Sequence, residues 1–548
     1  MVAEQIRTLI QKHAPDAKFS VERPKQEGHG DYASNVALIL AKQQGKNPRE
    51  VAEDLAKKFE SALFESIEVA GPGFINFRVQ AAELAKVPAA VLQAGQAYGA
   101  GEARKETAII EYSSPNIAKR FSIGHLRSTI IGQVIYNLHR HSGWQVVGDN
   151  HIGDWGTQFG KMLVAIAKWT DKPPGELTID ELEALYVRFH KEAESQPELE
   201  DEARAAFAKL EQGDEAHRKS WNDLIETSMA DFERIYDLLG VEIDELYGES
   251  YYEEIMPGVI EEAKKKGLAI EDDGALIMRF PDDELPPAMW LKRDGATTYF
   301  TRDMATVKFR LDRWKPAKII VETGNEQSLH FQQVYRTAEL LGWTGVEYTH
   351  VAHGLVRLKE GKISTRKGRT VKLQDVLDES MKRAAKINDD KGVAQAVGIG
   401  AVKYNDLKHA PNTSYTFDWD EMLQLEGNSG PYIQYVYARS QAVLRKAGAE
   451  AGRAKAAVTE LDPAERELIL QLEAFPLAVR VATERYSPNL ISSYLFELTQ
   501  AFNRFYELAP ILKAEGDVKT LRLQLTEATG SVIKTGLGLL GIKAPERM

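Results

Sequence analysis

Apolar residues change their spacing along the chain, and the first change marks off an N-terminal region. Up to residue 106, IRTLIQKHA and NPREVAEDLAKKFE have helical spacing, whereas SIEVAGPGFINFRV alternates like a strand around a Gly-Pro-Gly turn. From residue 107, a short apolar run (TAIIEYSS) precedes a helical segment and a second apolar run (WQVVGDNHIGD). Strand, helix and strand in this order predict a parallel α/β sheet.

A helical segment interrupts this α/β pattern, which resumes and then gives way to helices alone. Residues from about 170 to 272 are acidic and helical and resemble an insertion, and strand-like runs return in GALIMRF, KIIVETG and VEYTHVAHGLVRL. From residue 373 onwards almost every segment has helical spacing. The sequence therefore predicts a multidomain α/β protein: a small α+β domain (1–106), a Rossmann-type parallel-sheet domain with a helical insertion (107–372) and an all-α bundle (373–548).

Composition limits the class of protein. A chain of 548 residues is too long for one compact core, and 43% apolar with 27% charged residues is typical of a globular protein. The absence of cysteine excludes disulfides, thiolate zinc sites and a cysteine nucleophile. Because the sequence contains neither a signal-peptide-like apolar core nor a run of about 18 apolar residues, we expect a cytoplasmic protein.

The charge of the chain is unevenly distributed. A net charge of −12 argues against broad, non-specific binding of nucleic acids. Residues 357–372 are the exception, since they contain seven Lys or Arg residues and one acidic residue, Glu360. A basic run of this kind is most often a solvated loop, but this one also contains a motif.

The segment EYSSPNIAKRFSIGHLRST, residues 111–129, is the first candidate for chemistry. A predicted strand ends near Tyr112, and Gly124 and His125 lie at the start of a predicted helix. Glycine lets a nucleotide approach the backbone, and the helix start offers N–H groups to a phosphate. His125 can donate a hydrogen bond to a phosphate oxygen as charge develops on it. Taken alone, a Gly-His pair is more often a structural turn.

The second candidate is GKISTRKG, residues 361–368, within the basic run. Two glycines flank a Ser-Thr pair and three cations, which predicts a loop that can close on a polyphosphate. This motif follows the first by more than two hundred residues, as the second half of a split nucleotide site would.

Together the two motifs resemble the HIGH and KMSKS signatures of class I aminoacyl-tRNA synthetases. Further segments narrow the resemblance to the arginyl-tRNA synthetases and extend it almost from end to end: HGDYASNVALILAK, AGPGFINFRV, GDNHIGDWGTQFGKM, TTYFTRDMA, GPYIQYVYARS, YLFELTQAFNRFY and LGLLGIKAPERM. The resemblance implies ATP-dependent activation of L-arginine to arginyl-adenylate and transfer of the arginyl group to the 3′ end of tRNA(Arg). It implies Mg²⁺ carried with ATP, no zinc or other protein-bound metal, no membrane, and a monomer.

Two positions differ from the family pattern. Ser122 occupies the place of the first histidine of HIGH, so that only His125 can supply histidine chemistry. In the second signature Lys362 matches the first lysine, but Thr365 occupies the place of the second, which in the family meets the pyrophosphate. A lysine elsewhere has to replace that charge.

Lys119 and Lys367 are the candidates for this replacement. Lys119 lies beside the first signature and Lys367 within the second. We favour Lys119, because arginyl enzymes with a degenerate second signature tend to carry a lysine there. The resemblance thus implies these catalytic residues: Lys119, His125, Lys362 and Lys367.

The resemblance also implies residues that bind ATP and arginine. For ATP they are Ser122, Gly124, His125, His353, Gly354, Lys362 and Ser364. For arginine they are Glu111, Ser114, Asn116, Tyr299, Asp303 and Gln327. A guanidinium is a planar fork of donors, and the carboxylate of Asp303 is the matching acceptor. Two alternatives stay open, since Asp303 could cap the helix that starts at MATVKFR, and His353 could be a buried structural histidine.

In the resembled family the N-terminal domain contacts tRNA and the C-terminal helices bind the anticodon, whose unpaired bases stack on aromatic faces. The residues implied there are Tyr435, Arg439, Asn503 and Arg504, although aromatic residues at such spacing are more often core. The acidic insertion either packs on the acceptor arm or is a spacer.

Two other classes of function remain. One is a class I synthetase for another amino acid such as glutamate, which a cation-binding pocket at Asp303 argues against. The other is a non-catalytic tRNA-binding protein that kept the fold, which the departures at Ser122 and Thr365 bring into consideration.

Overall fold

A computed structural model describes residues 2–24, 28–59, 61–358, 372–448 and 456–548. The second signature, with Lys362, Ser364, Thr365 and Lys367, lies outside the described residues. Within the described ranges, no helix is both long enough and apolar enough to cross a membrane.

The N-terminal region consists of α1 (Val2–His13), β1 (Val21–Glu22), β2 (Tyr32–Ser34), α2 (Val36–Gln44), α3 (Pro48–Lys58), β3 (Phe64–Ala70), β4 (Phe74–Val79), α4 (Ala81–Leu84) and α5 (Val87–Ala94). Its strands form an antiparallel sheet in the order β1-β2-β4-β3. The Gly-Pro-Gly turn joins β3 to β4, and Gly71 and Gly73 both have positive φ (53° and 138°), which glycine adopts without strain. The predicted α+β character of this region is confirmed.

The central region begins with β5 (Thr107–Glu111), α6 (Ile123–His141), β6 (Gln145–Asn150), α7 (Thr157–Trp169), α8 (Ile179–Ala193), α9 (Glu198–Glu211), α10 (Glu215–Leu239) and β7 (Glu245–Leu246). It continues with α11 (Met256–Lys265), β8 (Ile270–Asp272), β9 (Ala275–Met278), β10 (Ala288–Leu291), α12 (Tyr299–Trp314), β11 (Lys318–Gly324), α13 (Ser328–Leu340), β12 (Glu347–His353) and β13 (Val356–Leu358).

Strands β12, β11, β5, β6 and β7 form, in this order, a parallel sheet. The predicted strands TAIIE, WQVVGDN and KIIVETG are β5, β6 and β11, since each is an apolar run buried within the sheet. From β5 the chain crosses to β6 on one side, whereas β11 pairs with β5 on the other side. Ligands of such sheets bind at the carboxyl ends of the strands where the strand order reverses.

Two segments predicted as strands of the α/β domain do not simply join its parallel sheet. GALIMRF forms β9, which joins β8 and β10 in a separate antiparallel sheet. VEYTHVAHGLVRL is divided into β12 and β13, and β13 pairs with β14 (Tyr415–Phe417) of the C-terminal region. The acidic stretch from about 170 to 272 is helical in α8, α9 and α10, but it also contains β7 at the edge of the parallel sheet.

Across the described residues after 372, the C-terminal region is helical apart from β14, as the sequence predicts. Its helices are α14 (Leu373–Ala384), α15 (Lys391–Leu407), α16 (Trp419–Met422), α17 (Gly430–Ala447), α18 (Pro463–Glu484), α19 (Asn489–Leu508) and α20 (Gly516–Leu539). Helix α18 also holds the N-terminal region, because Arg466 pairs with the buried Asp31 at 2.5 Å and donates to the carbonyl of Val79 at 3.1 Å.

Candidate active site

A cleft of about 630 Å³ opens where the carboxyl ends of β5, β11 and β12 meet the first turn of α6. The structure brings ten of the residues implied for ATP and arginine to the lining of this cleft: Glu111, Ser114, Asn116, Ser122, Gly124, His125, Tyr299, Asp303, Gln327 and His353. These residues come from five separate stretches of the chain. Neither Gly354 nor Lys119 is among the lining residues in the described part of the chain.

Ser122 and His125 together cap the start of α6. The backbone N–H of Ser122 donates to Nδ1 of His125 at 2.9 Å, and the Ser122 hydroxyl lies 3.1 Å from the same nitrogen. Because Nδ1 accepts, the neutral ring carries its proton on Nε2. Burial, together with the charge of Lys119, lowers the pKa of His125, so the ring is neutral at neutral pH. The cleft therefore contains an Nε2–H donor beside the free backbone N–H groups of a helix start.

The loop between β5 and α6 has an unusual backbone. Ser113, Ser114 and Ala118 have positive φ values of 73°, 44° and 61°, which residues with a side chain rarely adopt. The N–H of Ser114 donates to Oδ1 of Asn150 at 3.0 Å, but its hydroxyl oxygen is buried and has no hydrogen-bond partner within the described residues. A strained loop with an unpartnered hydroxyl at the wall of a cleft is typical of a ligand-binding site.

Beneath the cleft lies a buried charge network that the sequence did not reveal. Arg310 of α12 donates to Glu111 and to Asp149, each at 2.6 Å, and all three side chains are buried. Burial raises the pKa of Asp149, although Arg310 opposes that shift. The network fixes the carboxylate of Glu111 at the end of β5, facing the cleft.

Asp303 lies on the exposed side of α12, and it is not the helix cap that the sequence allowed. The N-cap of α12 is Thr298, and the helix starts at Tyr299, so Asp303 is already in the second turn. Its Oδ2 accepts a hydrogen bond from Nε2 of His330 at 2.5 Å. Tyr299 is 67% exposed at the mouth of the cleft. Among the described residues, Asp303 therefore has one carboxylate oxygen held by His330, and the other is available to a ligand.

The same cleft is also lined by five residues with titratable side chains that the sequence did not single out: His151, Glu249, Arg302, Glu326 and His330. Glu249 pairs with Arg302 at 3.3 Å, and burial raises the pKa of Glu249 to about 7. The only sequence signal for His330 was its place three residues after Gln327, which puts both near the start of α13. Glu249 lies outside every motif.

His353 ends β12, and Gly354 follows it. Nδ1 of His353 lies 2.8 Å from Oε1 of the fully buried Glu322. Burial opposes protonation of His353, but the charge of Glu322 outweighs it and raises the pKa of His353. Gly354 packs so closely on the backbone of Ser414 that a Cβ would lie 2.7 Å from its nitrogen. Its carbonyl accepts from Arg127 of α6 at 3.0 Å.

Lys119 lies beside the cleft, against the acidic insertion. Its Nζ is 5.1 Å from the centre of the Tyr186 ring on α8. The neighbouring Arg120 pairs with Asp180 of the same helix, and Lys372, the first described residue after the second signature, donates to Asp180 at 2.9 Å. The insertion therefore contacts the loop before α6 and the residue at which the described chain resumes after the second signature.

The residues implied for the anticodon lie on α17 and α19. Arg439 donates to Oδ1 of Asn503 at 2.9 Å and lies over the rings of Tyr435 and Tyr506, 4.8 and 5.2 Å from their centres. Both tyrosines are more than a third exposed, and Arg504 is exposed as well. Tyr435 is therefore not a core residue, and this cluster presents aromatic faces and a cation to the surface.

Comparisons with known proteins agree with this arrangement. Three family models match the chain: "Arginyl tRNA synthetase N terminal domain" over residues 1–79, "tRNA synthetases class I (R), catalytic domain" over 86–419, and "DALR anticodon binding domain" over 433–548. The arginine--tRNA ligase of Fusobacterium nucleatum is 41% identical, and the alignment covers both chains completely.

Solved structures resemble the whole molecule. The arginyl-tRNA synthetase of Thermus thermophilus has a TM-score of 0.86 at 26% identity, and that of Plasmodium falciparum has a TM-score of 0.83 at 25% identity. Each comparison covers all of this chain and 99% of the other.

The parallel sheet and the helix-start signature at its carboxyl edge are those of the class I aminoacyl-tRNA synthetases. Within that class, the three matching family models and the full-length identity to an arginine--tRNA ligase identify the family. The chain belongs to the arginyl-tRNA synthetases, enzymes that join arginine to tRNA at the expense of ATP.

Proposed function

We propose that the cleft carries out both steps of arginylation. In the first, a carboxylate oxygen of arginine attacks the α-phosphorus of ATP, so that a P–O bond forms and pyrophosphate leaves. In the second, a hydroxyl of the terminal ribose of tRNA(Arg) attacks the carbonyl carbon and AMP leaves. No covalent bond to the protein forms in either step, and the chain contributes position and electrostatic stabilisation.

Arginine would lie between Asp303 and the strained loop. The free oxygen of Asp303 is the acceptor for the guanidinium, with Tyr299 and Gln327 beside it. At the other end, the unpartnered hydroxyl of Ser114 and the amide of Asn116 suit the α-amino and carboxylate groups. The single observation that carries the proposal is the presence of these two complementary ends in one cleft.

ATP would lie along the start of α6 and the ends of β11 and β12. The Nε2–H of His125 and the N–H groups near Gly124 would receive the α-phosphate. Lys119, released from the Tyr186 ring, would neutralise charge that develops in the transition state. Mg²⁺ would enter as part of the ATP substrate, and Ser122, His353 and Gly354 would shape the nucleotide side.

The enzyme would bind tRNA at two places: the 3′ end in the cleft and the anticodon on the C-terminal helices. The exposed cluster of Tyr435, Arg439, Asn503 and Arg504 suits stacking on unpaired anticodon bases. We propose that the enzyme works as a monomer in the cytoplasm, where tRNA and ATP are available.

Replacing Asp303 tests this proposal. Asp303→Asn should raise the KM for arginine roughly 10- to 150-fold, because a charge-assisted hydrogen bond is worth about 1.5–3 kcal/mol. The KM for ATP should stay within about twofold. Asp312→Asn is the matched control, since Asp312 lies on the same helix but pairs with Lys308 at the surface. An unchanged KM for arginine in Asp303→Asn would refute the assigned pocket.

A further inference from the structure

His330 lines the cleft but is not one of the residues to which the proposed mechanism gives a role. His330 lies in the first turn of α13, and its Nε2 is 2.5 Å from Oδ2 of Asp303. Both side chains remain partly exposed to the cleft, 26% for His330 and 22% for Asp303. The pair is therefore open to a ligand rather than enclosed in the core.

The state of this ring changes what Asp303 can bind. With one proton, on Nε2, the neutral imidazole donates to Oδ2 and fixes the carboxylate, whose full negative charge and second oxygen remain for a ligand. With two protons, the imidazolium forms an ion pair with the same carboxylate. A cationic substrate then meets a neutralised acceptor and a positive neighbour.

We propose that His330 is a positioning residue that sets the charge of the arginine pocket: as a neutral ring it orients Asp303 toward the guanidinium, and as a cation it competes with arginine for Asp303. This inference rests on the proposed function, in which Asp303 binds the guanidinium. It predicts that arginine binding and protonation of His330 exclude each other, and that arginine binding therefore releases a proton.

The charges around His330 support this competition. Asp303 faces it from α12 and Glu111 from the end of β5. Burial lowers the pKa of His330, but the hydrogen bond and charge of Asp303, with a smaller effect from Glu111, outweigh burial and raise it. A cation from the substrate would cancel the charge of Asp303 and reverse that shift.

Other charged or titratable groups lie in the same region, among them Arg302 beside Asp303 on α12 and Glu326 before α13. His350 of β12 is packed against Phe331 with ring centres 4.9 Å apart, and burial lowers the pKa of His350 to about 4, with smaller effects from His353, His330 and Glu326. His350 is therefore neutral wherever His330 titrates. Burial, with a smaller effect from Asp303, raises the pKa of Glu249 to about 7, so an experiment has to separate the titration of Glu249 from that of His330.

The test is the pH dependence of the KM for arginine between pH 6 and 8, measured on the full-length enzyme by tRNA-dependent pyrophosphate exchange. Even at the ordinary imidazole pKa of about 6.5, roughly three quarters of the rings are charged at pH 6, so the KM should rise at least about fourfold. The KM for ATP, measured in the same assays, should not follow this change.

His330→Gln is the decisive variant, because glutamine keeps an N–H donor for Asp303 but does not titrate. We expect its KM for arginine to lose the rise toward pH 6, while Glu249→Gln retains it. His217→Gln is the matched control, since His217 forms a similar pair with Asp214 at the start of α10, away from the cleft. Titration calorimetry in two buffers of different ionisation enthalpy should show proton release on arginine binding in the wild type and not in His330→Gln.

A rise that persists unchanged in His330→Gln, or that disappears in Glu249→Gln instead, would overturn the inference. Failure of the proposed function gives a different result, because Asp303→Asn would then leave the KM for arginine unchanged. If Asp303→Asn raises that KM and His330→Gln keeps the wild-type pH profile, only the role of His330 is wrong.

Discussion

Arg127 of α6 connects the first signature to the C-terminal region. Its removal should lower the stability of the protein and weaken ATP binding. Its guanidinium, 1% exposed, donates to the carbonyls of Gly354 at 3.0 Å and Thr413 at 2.7 Å, and to Asp406 of α15 at 3.2 Å. Arg127→Met would keep the length of the side chain but leave Asp406, which is fully buried, without its cation.

The expected cost follows from that burial. Breaking a buried ion pair by removing one partner costs about 3–5 kcal/mol, because the remaining charge is uncompensated. Burial already raises the pKa of Asp406 against the opposing effect of Arg127, so the variant should protonate this carboxylate more readily. Replacing both partners, as Arg127→Met with Asp406→Leu, should recover a large part of the loss, because no buried charge remains.

Urea unfolding of the two single variants and the double variant forms a cycle that measures this coupling. The KM for ATP should also rise in Arg127→Met, since the position of Gly354 beside His353 depends on that guanidinium. A loss below about 1 kcal/mol in Arg127→Met, or a double variant as unstable as the sum of the two single variants, would refute the reasoning.

Three further predictions concern the phosphate site, the tRNA surface and the packing of α6. Lys119→Ala should slow adenylate formation by about 10²-fold in single-turnover assays with little change in the KM for ATP, as expected for a contact made mainly in the transition state. Arg439→Ala should raise the KM for tRNA about tenfold through lost stacking, with unchanged arginine and ATP constants. Gly132→Ala should destabilise the protein by about 1–3 kcal/mol in urea unfolding, because overpacking forces α6 away from β5.

The structure supplies controls for two of these predictions. A Cβ on Gly132 would lie 2.0 Å from Cβ of Tyr112, whereas Gly258 on α11 has open space and Gly258→Ala should be harmless. Tyr186→Leu should leave Lys119 free and spare the rate, since the ring only holds the resting lysine. A full-speed Lys119→Ala, an unaltered KM for tRNA in Arg439→Ala or a stable Gly132→Ala would each contradict its prediction.

Local sequence patterns predicted the parts of the fold that depend on local chemistry. KIIVETG became β11 because a short apolar run flanked by polar residues is what a buried parallel strand requires. GALIMRF became a strand too, but its partners are β8 and β10, and the pattern of one strand does not specify which sheet it joins.

In the site, too, local motifs were predictable from the sequence, whereas tertiary partners were not. The residues that follow β5 and start α6 were found because they form contiguous motifs, whereas the partners that hold them come from distant stretches. Arg310 is separated by 199 residues from Glu111, and His330 by 27 from Asp303. In the sequence, Arg310 and His330 look like ordinary polar residues of amphipathic helices. Only the tertiary structure shows which residues they contact. The alternative that Asp303 caps a helix is excluded, because Thr298 is the N-cap of α12 and Asp303 lies in its second turn.

The selectivity of the enzyme for arginine over other amino acids tests the assigned pocket most directly. We expect the full-length enzyme to charge tRNA(Arg) with arginine, and kcat/KM for lysine to be lower by about 10³-fold or more, because an ammonium cannot satisfy acceptors placed for a planar guanidinium. Measuring both values on one tRNA preparation is sufficient. Comparable values for lysine, or charging by another amino acid in place of arginine, would contradict the assignment of the pocket around Asp303.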